Sequence, residues 1–144
     1  MTENFVSLID PAAGRIVHVG SGIGSMYTRK QSEDDIKGIW NNPNLTWEQL
    51  DAKLQDQIPK IDNMGAYGIS KAAVGIYATI STTKYPNLWI SSITPGYVDT
   101  AITAGFGGDK VTPEQGTVSI RKCLFEELKG NGYIYGSFKL SYDN

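Results

Sequence analysis

The chain has 144 residues, of which 40% are hydrophobic and 10% aromatic, which is enough apolar material for the core of one domain. Its 13 Lys and Arg against 15 Asp and Glu give a net charge of -2, and neither sign forms a run. This composition excludes a disordered chain, and it predicts neither a nucleic-acid partner nor binding to an anionic membrane surface.

The numbers of cysteines and histidines and the lengths of the apolar runs exclude several further classes of protein. The single cysteine, Cys123, cannot form an internal disulfide, and the single histidine, His18, leaves too few ligands for the usual structural zinc sites. No apolar run approaches the roughly 20 residues that span a bilayer, and the first residues lack the basic start of a secretory signal. We therefore expect a reduced, metal-free protein of the cytoplasm.

The first part of the chain predicts a helix end, a strand and a turn. Residues 1–9 carry apolar side chains at helical spacing. Residues 15–20 are rich in β-branched side chains and bounded by glycines, a pattern typical of a buried parallel strand. We expect the chain to turn at residues 21–25.

Residues 26–63 are polar, and we interpret them as a helical insertion that runs over the surface. A capping box at residues 46–49 opens a short helix to about Gln57. From Gly65 to about Tyr85, small and apolar side chains recur at helical spacing, which predicts a long helix packed against a sheet.

The remaining sequence predicts a strand, a loop, a helix and another strand. Residues 88–93 form the second strand, and a glycine-bearing loop follows over residues 98–110. A helix begins at Thr112 and runs to Gly130, and residues 133–138 form the third strand.

This alternation indicates the α/β class, with three parallel strands joined by crossover helices. Three strands are few for a doubly wound sheet, and the first strand, apolar on both faces, needs a neighbour along its open edge. We therefore expect residues 1–144 to form a single, partial Rossmann-like domain whose N-terminal half is missing.

Tyr67 and Lys71 lie four residues apart, on one face of the predicted long helix. An ammonium at that spacing stabilises a phenolate, which makes the tyrosine a usable proton donor near neutral pH. The alternative is that Tyr67 packs at the helix start while Lys71 extends into solvent.

Two further segments should lie near this pair. In a parallel sheet the carboxyl ends of neighbouring strands line up, so Ser21 and the Pro95-Gly96 turn should meet the head of this helix around one crevice. Taken alone, Ser21 is typical of an ordinary turn and Pro95-Gly96 of a plain loop.

Other conspicuous residues predict structure rather than chemistry. We expect His18 to be a structural residue of its strand and Cys123 to be a packing residue of its helix. Gly20, Gly22 and Gly24 follow a strand, but they lack the third glycine, the directly following helix and the later acidic residue of a dinucleotide-binding loop.

Three segments together resemble one known family. Residues 14–21 resemble its fifth strand with the catalytic serine, residues 67–71 resemble its Tyr-x-x-x-Lys signature, and residues 95–100 resemble the loop that holds the nicotinamide. The chain is thus similar to the C-terminal half of a short-chain dehydrogenase/reductase, in the carbonyl reductase branch. Residues 1–144 would then be part of an NAD(P)-binding domain.

The resemblance implies a catalytic role for three residues. Tyr67 would protonate a carbonyl oxygen as hydride arrives from NADPH, Ser21 would orient that oxygen, and Lys71 would support the tyrosine. Tyr67 and Lys71 would also bind the cofactor, with Lys71 at the nicotinamide ribose. The substrate would be a small carbonyl compound or alcohol.

The resemblance also implies a cofactor loop. Val98 would meet the carboxamide, Thr100 would lie near the phosphates, and Pro95 and Gly96 would hold the nicotinamide end. The implied cofactor is NADP(H), and NAD is not excluded.

Two hypotheses follow. The first is an NADPH-dependent, carbonyl reductase-like oxidoreductase in truncated form, and the insertion at residues 26–63 is similar to the one that keeps carbonyl reductases monomeric. The second is a catalytically inactive remnant that binds another protein chain through the open edge of its sheet. The family's glycine-rich turn and catalytic asparagine would lie upstream, which leaves activity of these 144 residues alone open.

Overall fold

The computed structural model describes residues 2–132 and 134–136, and it confirms an α/β fold with a parallel sheet. The strands lie in the order β1 (Arg15–Val19), β2 (Trp89–Ile93) and β3 (Ile134–Tyr135). β2 is the centre, and it pairs in parallel with β1 on one side and with β3 on the other. Of the predicted third strand, residues 133, 137 and 138 lie outside the described residues.

Helices connect these strands. Their bounds are α1 Thr2–Phe5, α2 Gly22–Arg29, α3 Glu33–Asp35, α4 Trp47–Gln57, α5 Asn63–Lys84, α6 Pro113–Gly116 and α7 Val118–Phe125. Shorter helical turns lie at Val6–Leu8, Ile36–Trp40, Ile58–Lys60 and Ala101–Thr103. None of the helices in the described part of the chain has the length and apolar character needed to cross a membrane.

The predicted long helix is α5. Asp62 caps its first turn, because its carboxylate accepts a hydrogen bond of 2.7 Å from the backbone N–H of Gly65. Ile69, Ala72 and Ala78 are buried at helical spacing, and most buried side chains of α5 are small. The helix therefore packs closely on both β2 and α2.

The turn predicted at residues 21–25 is wrong, because α2 begins directly after β1. Ser21 is its N-cap, and the Ser21 Oγ accepts a hydrogen bond of 3.3 Å from the backbone N–H of Ile23. A Cβ at Gly24 would lie 2.7 Å from the backbone of Lys71 and Ala72, so the glycine lets α2 touch α5. This tertiary contact outweighs the poor helix propensity of two glycines.

That helix also removes one reason for rejecting a dinucleotide-binding loop at Gly20, Gly22 and Gly24, because a helix does open directly after them. The remaining two reasons, the absent third glycine and the absent acidic residue, are features of the sequence and still stand.

The stretch at residues 26–63 was expected to run over the surface, and this is wrong in part. Trp40, Leu45 and Leu50 are buried in a cluster that also contains Ile69 and Ala72 of α5. The capping box is confirmed, since the Thr46 side chain and the Gln49 side chain bond to each other's backbone at the start of α4. The insertion thus shares a core with the long helix.

The helix predicted from Thr112 to Gly130 is shorter than expected. It starts with the predicted cap at Thr112, but α7 ends at Phe125 and Glu126 is extended. The Arg15 guanidinium donates hydrogen bonds of 2.9 and 2.6 Å to the backbone carbonyls of Cys123 and Glu126. A side chain from β1 therefore satisfies carbonyls at the end of this helix.

The α2–α5 contact predicts the effect of two alanine substitutions. We expect Gly24→Ala to lower the free energy of unfolding by about 1–3 kcal/mol, because the new methyl group meets fixed backbone of α5. Gly22→Ala is the matched control, since a Cβ there meets nothing within 4 Å. Urea unfolding followed by circular dichroism measures both, and equal stability of the two variants would contradict the contact.

Candidate active site

Lys71 links the long helix to the end of the first strand. Its Nζ donates a hydrogen bond of 3.0 Å to the backbone carbonyl of Val19, the last residue of β1. The same ammonium lies 5.9 Å from the centroid of the Tyr67 ring. The predicted pair therefore lies on one face of α5, at the carboxyl end of β1, and the tyrosine is 46% exposed.

Ser21 lies near Lys71 in the fold, whereas Tyr67 does not line the cavity that these two residues share. The Ser21 Oγ accepts from the backbone N–H of Ile23, so the hydroxyl proton is free to be donated to a ligand. Ser21 and Lys71 line one cavity of about 340 Å³, together with Gly136 at the end of β3. The parallel sheet thus brings the ends of its strands to a shared cavity, as open α/β sheets commonly do.

The predicted cofactor loop leaves the sheet next to this cavity without lining it. Gly96 has a φ of 86°, a left-handed conformation that favours glycine, so the turn after Pro95 depends on it. Val98 forms a bridge with Val111, and the backbone N–H of Thr100 donates to the Thr103 Oγ1 at 2.9 Å. The cavity is bounded on this side by Thr94 instead.

Several residues that line the cavity were not predicted as site residues from the sequence. Ser92 and Thr94 come from the end of β2, and their position at a strand end was the available clue. Arg29, at the end of α2, and Trp40, in the insertion, also line the cavity. Both reach it because α2 and the insertion pack against α5, which the sequence did not predict.

His18 lies outside this cavity. Its ring meets the Tyr77 ring edge-on at 5.5 Å, and both residues border a second cavity of about 650 Å³. Burial lowers the pKa of the imidazole below its usual range, and in the described structure its Nε2 has no hydrogen-bond partner. These surroundings favour a neutral, structural histidine.

Cys123 is a packing residue, as predicted. It is buried in a cluster with Ile93 and Leu128, and that burial raises the pKa of its thiol. Within the described residues, no group of three or more His, Cys, Asp or Glu side chains gathers into an arrangement that could hold a metal ion.

No family model matches the chain, but individual proteins do. A (+)-neomenthol dehydrogenase from Capsicum annuum is 29% identical over 132 residues, which cover 83% of this chain and 41% of that protein. Short-chain dehydrogenase/reductase 1 from Saponaria officinalis is 31% identical over 133 residues, which cover 84% of this chain and 43% of that protein.

A solved structure agrees with these sequence matches. Salutaridine reductase from Papaver somniferum superimposes with a TM-score of 0.75 at 25% identity, over 93% of this chain and 49% of that one. The chain therefore spans less than half the length of the relatives and the solved structure it matches.

The buried histidine predicts a pH dependence of stability. The unfolded chain takes up a proton on His18 near pH 6.5, whereas the folded chain resists protonation until a lower pH. We expect the contribution of His18 to the free energy of unfolding to be constant above about pH 6.5. The free energy of unfolding should then fall as the pH drops from about 6.5 to about 5.5, before most carboxylates titrate.

The check is urea unfolding of the wild type and of His18→Gln across this pH range. Because His18 is the chain's one histidine, the variant should lose most of the slope. An equal slope in both proteins would show that His18 does not cause it.

Proposed function

Because the chain belongs to the short-chain dehydrogenase/reductase family, we propose that it carries the catalytic half of an NADPH-dependent carbonyl reductase. The observation that carries this proposal is the Tyr67–Lys71 pair, which the Lys71–Val19 hydrogen bond of 3.0 Å ties to the end of β1. Ser21 follows that strand end and shares a cavity with the lysine.

Three side chains divide the work of carbonyl reduction. The Ser21 hydroxyl donates a hydrogen bond to the carbonyl oxygen of the substrate and orients it. Tyr67 delivers its phenolic proton to that oxygen, and the nearby Lys71 ammonium stabilises the phenolate that remains. A nicotinamide nucleotide, when bound, would supply the hydride for the carbonyl carbon. The oxidation of an alcohol uses the same groups in the opposite direction.

The residues present fit the nicotinamide end of such a cofactor. The left-handed turn at Gly96 brings bare backbone to the end of β2, and Pro95, Val98 and Thr100 flank it in the same loop. The Lys71 ammonium adds a donor for ribose hydroxyls. We assign NADP(H) from the resemblance to carbonyl reductases, with NAD as the alternative.

The proposed substrate is a small carbonyl compound or the corresponding alcohol. The names of two similar proteins, neomenthol dehydrogenase and salutaridine reductase, support this class. We also propose a monomer, because the insertion buries part of α5 through Trp40 and Leu50 and leaves less of that helix for a second copy. A cytoplasmic location belongs to the same proposal, supported by the single buried cysteine.

The free edge of β1 favours a second candidate function. Within the described residues β1 pairs with β2 alone, and Val19 is 48% exposed at its end. An edge of this kind can accept a strand from another protein. The chain would then bind a protein partner and catalyse nothing.

A titration with NADPH separates the two candidates. Cofactor fluorescence is followed as the purified chain is added, and circular dichroism confirms that the chain is folded. We expect saturable binding that Lys71→Met weakens about tenfold, the size of one charge-assisted hydrogen bond. A folded chain that shows no binding would contradict the proposal and favour the second candidate.

Substitution of the tyrosine tests the chemistry itself. We expect Tyr67→Phe to lower the turnover of a cyclic ketone at least about 100-fold, because the general acid is lost, while NADPH affinity falls by less than about tenfold. Tyr85→Phe is the matched control, since Tyr85 lies just beyond the far end of α5.

The turnover comparison is made on the chain alone, or behind the N-terminal half of salutaridine reductase if the chain alone is inactive. Wild-type turnover in the Tyr67→Phe variant would overturn the assigned proton donor.

A further inference from the structure

The segment between β2 and α6 is a loop whose two ends are fastened together. The backbone N–H of Val111 donates to the carbonyl of Tyr97 at 2.8 Å, and the N–H of Asp99 donates to the carbonyl of Val111 at 2.9 Å. Gly105 and Gly108 have φ values of 82° and 108° at its exposed tip. Residues 97–111, called here the 97–111 loop, therefore have a fixed base and an open tip.

Thr103 connects the two proposed cofactor residues of this loop. Its Oγ1 donates to the carbonyl of Val98 at 2.7 Å and accepts from the backbone N–H of Thr100 at 2.9 Å. One hydroxyl thus orients the backbone carbonyl of Val98 and the backbone N–H of Thr100. Whatever holds Thr103 in place also holds Val98 and Thr100.

Lys110 holds Thr103. Its Nζ donates a hydrogen bond of 2.7 Å to the carbonyl of Thr103, and its side chain is only 17% exposed. The same ammonium lies 3.4 Å from the Asp99 carboxylate and 5.7 Å from the centroid of the Tyr97 ring. A largely buried ammonium needs such partners, and these three all belong to the 97–111 loop.

We propose that Lys110 is a positioning residue that fixes the 97–111 loop from within, and that it acts on the cofactor through Thr103, Val98 and Thr100. This inference rests on the proposed function, since it gives the loop its role at the nicotinamide end. In this proposal Lys110 contacts the loop and not the cofactor or the substrate. The bond to the Thr103 carbonyl is the step that transmits its effect.

The first measurement is independent of the cofactor. Amide hydrogen exchange is compared in the wild type, Lys110→Met, Lys110→Arg and Lys37→Met, where Lys37 is an exposed lysine of the insertion and serves as the control. We expect Lys110→Met to speed exchange at Asp99, Thr103 and Val111 about tenfold, the loss of one hydrogen bond to a charged donor. Lys110→Arg keeps a donor and should restore slow exchange.

The second measurement is the NADPH titration of the same variants. We expect Lys110→Met to raise the dissociation constant about tenfold, with Lys110→Arg and Lys37→Met close to wild type. Exchange in the core of α5 serves as the internal reference, because a general loss of stability would speed it too.

Each outcome decides the question. Unchanged exchange in Lys110→Met overturns the role in the loop, and faster exchange with unchanged NADPH affinity overturns the role at the cofactor. If the folded wild type binds no NADPH, the proposed function fails together with the cofactor role, and the exchange data still show whether Lys110 fixes the loop.

Discussion

The close contact between α2 and α5 is the constraint on which the site depends. Gly24 has no room for a side chain against the backbone of Lys71, and a Cβ at Gly68 would meet the Tyr27 side chain at 3.1 Å. These two glycines let α2, whose N-cap is Ser21, approach the turn of α5 that carries Lys71. The Ser21 hydroxyl and the Lys71 ammonium share one cavity because Gly24 and Gly68 let the two helices meet closely.

The insertion supports this contact with the apolar burial that the glycines cannot provide. The Tyr27 hydroxyl donates to the Gln57 side chain at 2.6 Å, and its ring meets the Trp40 ring edge-on at 5.6 Å. Trp40 and Leu50 continue into the cluster with the buried residues of α5. The insertion, which lies between Ser21 and Tyr67 in the chain, therefore contributes to the position of α5.

Local patterns were sufficient for most of the strands and long helices and for the relative position of Tyr67 and Lys71. Tyr67 and Lys71 share a face because helical spacing requires it, and the capping box at Thr46 marked the start of α4. The bridge at Val98 and the fixed position of Thr103 could not be predicted in this way. They depend on Lys110 and Val111, which return to the start of the loop only after the chain has folded back.

The sequence by itself determined the α/β class, the parallel strands and the residues able to donate a proton, because these follow from periodicity and side-chain chemistry. Only the tertiary structure decided that Ser21 opens a helix and that α7 ends at Phe125. The first depends on the contact of Gly24 with α5, and α7 ends where its carbonyls accept hydrogen bonds from Arg15 on β1. Both involve residues distant in the chain, which no local pattern encodes.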